Sequence, residues 1–300
     1  MSTTTLNAIR AALACGRAVP YLGPGVLELT ENCPIPSSPA TLVGKLTAAA
    51  NVPHKIRKNL TAAAQFIENF KHRRTVSTAM KDAFRPETEP TSLHRYLAEL
   101  HSLPLVVHAW YDDLPQKAFA SRDGWGMSQG VSQAEHYGNW VHYFHPDGTR
   151  AAQGGDAVPS EAMAWRTLVY QPLGSVSPAA NFLVSDSDFV EVLTEIDIQT
   201  PIPALVQARR ADRHFLFLGC RFATQMDRMF ARQIMKRSSA KHWAVLPGPL
   251  TRNEARFLEQ QNIEQVDMPL AEFVAALTGA GDRAIPLQPE IAVPTAARVQ

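Results

Sequence analysis

The residues best placed for chemistry are two glycines, Gly23 and Gly25, at the end of the run Ala18-Val19-Pro20-Tyr21-Leu22-Gly23-Pro24-Gly25-Val26. A short apolar strand that runs into a Gly-x-Gly turn lets the backbone approach a phosphate, and the N–H groups exposed there attract anions. Gly23, Pro24, Gly25 and Val26 are therefore expected to cradle NAD, a related nucleotide or another small anionic ligand. Asp112 and Asp113 follow a second apolar run, Leu105-Val106-Val107. They suit either a hydroxyl or ribose contact or the N-cap of a helix starting near Leu114. Cys220, beside Arg221, follows a third run, His214–Leu218. A neighbouring guanidinium lowers a thiol's pKa, so this pair can supply a soft ligand or an anion contact. The plainer reading of Cys220 is a small buried residue in a turn. His136, His142 and His145 are close in sequence. If Val141–His145 is extended, His142 and Phe144 share a face and His145 points away, which argues against a three-histidine metal site. His142 or His145 with His108 remains a candidate metal set, beside the reading of loop and surface histidines.

The pattern of elements says what would position these residues. Leu6, Ile9 and Leu13 recur at helical spacing, with Gly16 where a C-cap glycine belongs. Strand Ala18–Leu22 and the glycine turn come next. Pro34, Pro36 and Pro39 mark a loop; helices are expected at Thr41–Ala50, over a block Lys55–Phe84, and at Thr91–His101. Leu105–Val107 reads as a buried parallel strand, Leu114–Ala120 as a helix and Gly124–Gly130 as loop. Strands are expected at Asn139–Phe144, Arg166–Gln171, His214–Leu218, His242–Leu246 and Ile263–Val266. Helices are expected at Asp186–Glu195, Ile202–Arg209, Thr224–Lys236, Arg252–Gln261 and Asp267–Leu277, the last with Asp267 as N-cap. This alternation predicts an α/β protein: a Rossmann-like, doubly wound sheet of about six parallel strands. One domain over 1–280 would carry smaller helical or insert modules at about 40–100 and 120–165, with an extended tail over 281–300. The aromatic set Trp110, Trp125, Trp140, Phe144 and Trp165 would form the core of an insertion, a wall over a flat ligand or an interface patch.

Composition narrows the class. Of 300 residues, 45% are hydrophobic and 19% charged, which fits a folded soluble protein. A net charge of +1 gives no reason to expect nucleic acid, and Lys71-His72-Arg73-Arg74 reads as a solvated helix end. No apolar stretch reaches the roughly 18 residues a membrane helix needs, and the polar start Ser2–Thr5 is unlike a secretion signal. Three scattered cysteines without a C-x-x-C pair fit a reducing cytoplasm and disfavour a thiolate zinc site.

Four segments, in order, resemble the bacterial sirtuin-like domain family, a group of NAD-binding Rossmann-like proteins. Tyr21-Leu22-Gly23-Pro24-Gly25-Val26 resembles the family's Gly-Ala-Gly-Val phosphate loop. His108-Ala109-Trp110-Tyr111-Asp112-Asp113-Leu114 resembles its Thr-Thr-Asn-Tyr-Asp-x-Leu segment. Val169-Tyr170-Gln171-Pro172-Leu173-Gly174-Ser175-Val176 resembles its strand ending in Leu-His-Gly-Ser, and Phe217-Leu218-Gly219 its late strand before a glycine turn. The resemblance, over roughly residues 15–240, implies an NAD-type cleft touched by Gly23, Pro24, Gly25, Val26, Trp110, Asp112, Gly174, Ser175, Gly219, Cys220 and Arg221. It also implies where chemistry has been exchanged. Trp110 stands at the asparagine that positions ribose and water, and Leu173 at the histidine that acts as base. Pro24 removes one phosphate-loop N–H, and Leu27 replaces a small polar residue. Leucine moves no proton and tryptophan only donates. The leading expectation is a sirtuin-like protein without sirtuin-type NAD cleavage, holding an anionic small ligand or a protein partner, homo-oligomers included. Beside it stand an NAD-processing hydrolase working through Asp112 or a histidine, and a metal- or cluster-handling protein using His108, His142, His145 or Cys220.

Overall fold

Every central strand alternates apolar side chains between the two faces of one sheet, so helices must cover both. In β1 (Ala18–Leu22) Val19 and Tyr21 point to one face, and Ala18 and Leu22 to the other. The same alternation holds in β2 (Leu105–His108), β5 (Thr167–Gln171), β8 (His214–Leu218) and β9 (His242–Val245), where Phe215 and Phe217 oppose Leu216 and Leu218. A strand buried on both faces reads as a continuous apolar run, which is how these strands appear in the sequence. The computed structural model describes residues 3–134, 139–155, 157–195 and 202–279. The expectations for His136 and for the tail over 281–300 lie outside the described residues.

With β3 (Trp125–Gly130), β4 (Val141–Phe144) and β10 (Ile263–Val266), the sheet has eight strands in the order β10-β9-β8-β1-β2-β5-β3-β4. Seven run parallel and β4 pairs antiparallel to β3 at the edge. The doubly wound Rossmann-like α/β architecture is therefore present, with seven parallel strands where the sequence pattern suggested about six. The extra strand is β3, in a stretch read as loop. Its glycines and polar residues hide it, yet all six residues are buried between β5 and β4. A short hairpin, β6 (Gly174–Ser175) with β7 (Asn181–Phe182), extends from the end of β5.

One face is covered by α1 (Thr3–Ala14), α5 (Ser92–Glu99) and α12 (Leu270–Thr278), through Ile9, Leu13, Leu93, Leu97, Phe273 and Leu277. The other carries α2 (Pro39–Ala49), α3 (Leu60–Lys71), α4 (Arg73–Ala83), α8 (Asp186–Glu195), α9 (Ala204–Arg210), α10 (Gln225–Met235) and α11 (Arg252–Gln260). The short α6 (Leu114–Phe119) and α7 (Ser160–Met163) complete the set. The expected block 55–84 is two helices, because His72 takes φ 78°, outside the helical region, and turns the chain. Asp267 does not cap α12: it accepts from Gly248 N (2.8 Å), and Pro269 holds the N-cap position. The aromatic set does not form one wall. Trp110 and Trp165 pack on one face of the sheet, and Trp125 and Phe144 on the other.

Candidate functional site

In an open α/β sheet the ligand crevice lies at the carboxyl ends of the strands, where the strand order reverses. Here that point falls between β1 and β8, since β2 lies on one side of β1 and β8 on the other. The turns after these two strands hold the glycine loop and Gly219-Cys220-Arg221.

The two turns are clasped to each other. Gly23 N donates to Leu218 O (2.8 Å), Gly25 N to Gly219 O (2.9 Å) and Val26 N to Gly23 O (3.2 Å). Pro24 has no N–H and opens a short 3-10 helix, Pro24–Leu29. A Cβ on Gly23 would stand 2.6 Å from Gly219 O and 2.8 Å from Cys220 Sγ, and one on Gly219 (φ 64°) would collide with Val26 N. Glycine is thus required at 23 and 219 by contact between the two turns. Cys220 is buried, and its thiol donates to Tyr21 O (3.6 Å). Burial, helped by the Asp227 carboxylate, pushes that thiol far up, away from the thiolate a soft ligand needs. Arg221 pairs instead with the buried Glu254 (Nε to Oε1, 3.1 Å). Burial opposes charge on Glu254, but hydrogen bonds from Thr251 and the Arg221 guanidinium outweigh it and hold the carboxyl below its ordinary range.

At the end of β2, Trp110 is buried and its indole N–H donates to Pro36 O (2.8 Å). It packs against Phe84 and Tyr111, with ring centroids 6.1 and 5.0 Å away. The loop between the 3-10 helix and α2 is thereby tied down over the strand ends, with Ile35 and Pro36 buried beneath it. Asp112 is also buried. One carboxylate oxygen accepts from Leu114 N (3.0 Å) and starts α6; the other meets His108 Nε2 (3.1 Å). Burial would raise this carboxyl, but the charge of His108 and its hydrogen bond prevail and hold it low. Ser175 Oγ donates to the Asp112 carbonyl (3.1 Å), which also accepts from Gln171 Nε2 (3.2 Å). Gly174 (φ 79°) sits so close to Asn181 O that a side chain there would collide with it. Leu173 is 8% exposed within the apolar core.

The three candidate metal-ligating histidines are not brought together. His108 ends β2 and His142 lies in β4, three strand spacings away, or about 14 Å. His145 pairs with Glu161 (3.2 Å). Among the described residues no group of three His, Cys, Asp or Glu side chains could hold a metal ion.

Two clusters had no clear signal in the sequence. His94 is fully enclosed on α5; its Nδ1 accepts from Thr91 N (3.2 Å), so the proton sits on Nε2, which has no hydrogen-bond partner among the described residues. Its ring lies 6.2 Å from that of His108. Burial drives its pKa down to about 3. The capping pattern Thr91-x-x-His94 was the available hint. The second cluster centres on the buried Asp188, which accepts from Arg73 (2.8 Å), Ser185 N (2.9 Å), Val184 N (2.8 Å) and Ser132 Oγ (2.5 Å). Arg73 is therefore turned inward from the basic run, of which Lys71, His72 and Arg74 alone are exposed.

Sheet order, helices on both faces and a glycine turn at the switch point define an open, doubly wound α/β protein of the Rossmann-like class. The model of the SIR2-like domain family matches residues 104–266, more than half of the chain, and this protein belongs to that family. The comparison with curated proteins found no match. No helix among the described residues is long and apolar enough to cross a membrane.

Proposed function

We propose that this protein is a SIR2-like domain that does not cleave NAD by the sirtuin route and acts by binding a protein partner. The observation that carries this reading is the Trp110–Pro36 hydrogen bond, which pins a loop over the strand ends with an indole where relatives place a carboxamide. Leu173 offers no lone pair to accept a proton at the position of the family's base. At Gly23–Val26 the amides of 23, 25 and 26 are bonded within the protein and residue 24 is proline, so this loop offers a diphosphate no free donor. SIR2-like domains as a family are NAD-related; the residues placed here do not fit the dinucleotide in that manner. Incubating the purified protein with NAD and following nicotinamide release tests the reading. Release no faster than in buffer is expected, and enzymatic release would overturn it.

A second reading, a hydrolase with altered chemistry, draws on the buried His108–Asp112 pair at the end of β2. An imidazole oriented by a carboxylate is a general base in form. Its burial, 1% exposure for each residue, places it out of reach of substrate. Asp112→Asn abolishing a measured turnover would favour this reading over the first.

A further inference from the structure

The opposite edge of the sheet, where the parallel strands begin, carries a row of cations. Arg17 immediately precedes β1, Arg166 precedes β5, Arg213 precedes β8, and Arg122 lies in the turn before β3. Arg209 and Arg210 end α9 on the same side. The parallel register, Ala18 opposite His214 and Trp125 opposite Thr167, aligns these turns along one edge. From β8 to β3 the row spans four strand spacings, about 19 Å. Four of these six arginines are anchored on backbone. Arg213 donates to Gly16 O (2.9 Å), Arg209 to Pro104 O (2.9 Å) and Trp165 O, Arg122 to Leu100 O (3.1 Å), and Arg210 to Gln233 O (2.9 Å). The bonds of Arg122 and Arg210 close the carbonyl ends of α5 and α10, and all four arginines have their guanidinium planes set by backbone.

That structural role does not account for the rest. Arg17 and Arg166, with Arg237 just after α10, are exposed and make no side-chain hydrogen bond or ion pair among the described residues. Burial, and after it the charge of Arg166, lower the pKa of Arg122; burial also lowers that of Arg210, with Tyr170 opposing it and Arg237 adding to it. The carboxylates in the same turns are Asp123 and Asp212, and Glu264 is taken by Lys241 (2.8 Å). A chain with a net charge of only +1 thus gathers unneutralised guanidinium on one edge. Holding like charges together is unfavourable unless something anionic comes to meet them.

We propose that this edge docks an acidic protein segment. The free guanidinium forks of Arg17 and Arg166, at the starts of β1 and β5 on this edge, suit carboxylates, which guanidinium binds in pairs of parallel hydrogen bonds. A length of about 19 Å matches about six residues of extended peptide. The near-neutral chain lacks the general basic surplus that holds nucleic acid. The site lies at the far end of the strands from the family's cleft, about 16 Å away along a five-residue strand, and does not depend on whether NAD is processed.

The test is fluorescence anisotropy of a labelled ten-glutamate peptide at about 50 mM salt, where screening is modest. Saturable binding is expected, with the double reversal Arg17→Glu/Arg166→Glu weakening it at least about tenfold. Both residues are exposed, so the variant should melt like the parent. The control Lys71→Glu/Arg74→Glu makes the same charge change at the turn between α3 and α4, and should weaken binding less than about twofold. The proposal is overturned by absence of binding, by equal losses in the two variants, or by tighter binding of a duplex DNA through the same residues.

Discussion

Trp110 is the residue on which the proposed function turns. Its ring fills space between Phe84, Tyr111 and the loop, and its N–H satisfies a buried carbonyl. Trp110→Ala should destabilise the protein by about 3–5 kcal/mol through the cavity it opens. Trp110→Phe keeps most of the packing but strands Pro36 O, and should cost about 1–2 kcal/mol. Denaturant midpoints distinguish these outcomes, and a neutral Trp110→Ala would show that the indole does not hold the loop. His94 gives the pH dependence. Its native pKa of about 3 lies below the unfolded value of about 6.5, so between these the unfolded chain binds the extra proton. Stability is therefore full above about pH 6.5 and falls as the pH drops toward 3, by up to about 4 kcal/mol. His242, lowered by burial to about 4, adds loss of the same sign. Asp112, held below its ordinary value, adds more only below the normal carboxylate range. His94→Gln should flatten the stability profile between pH 6.5 and 4; an unchanged slope would remove His94 as its source.

At the scale of elements, Asp188 and Arg73 join parts of the chain far apart in sequence. Arg73 starts α4, Asp188 lies in the first turn of α8, and Ser132 follows β3. Removing Asp188 takes the acceptor from the Ser132 hydroxyl and from the Val184 and Ser185 amides, and leaves Arg73 with Glu68 (3.1 Å) as its carboxylate partner. Asp188→Ala is accordingly expected to cost about 3–5 kcal/mol, and a double-mutant cycle with Arg73→Ala should show strong coupling. Additive losses would mean that the ion pair does not connect the helices. The same elements show what the sequence could reveal. Strands β1, β2 and β8 are legible because burial on both faces leaves apolar runs, and β5 because it carries aromatic and β-branched residues. Strand β3 is not, since Gly126, Ser128, Gln129 and Gly130 give no hydrophobic period; burial here comes from neighbours, with Trp165 against Gly126 and Pro172 O against Gly130. The break at His72 is equally hidden, since it rests on one backbone angle.

The whole molecule explains why motif positions could be found while their surroundings could not. Gly23, Gly25 and Gly219 are recognisable as turn glycines, yet a sequence cannot say whether the space they leave admits a ligand or another turn. In the fold it is the other turn: Gly219 O lies 3.0 Å from where a Cβ on Gly25 would stand. Likewise Asp112, Ser175 and Gln171 stand at strand ends as a ligand site requires, but bond to each other's neighbourhood. Arg221 turns to Glu254 and Cys220 to a backbone carbonyl. The SIR2-like frame is thus kept, and on the reading proposed above its strand-end crevice is taken up by the protein's own groups.

Amide hydrogen exchange over Tyr21–Glu28, with and without about 1 mM NAD, addresses that closure directly, because a ligand bound to the native state must add protection where it binds. The amides of Gly23, Gly25 and Val26 should exchange slowly in the free protein and at the same rate with NAD present. Rapid exchange that NAD suppresses would contradict the account, showing that these donors face a ligand rather than the turn after β8.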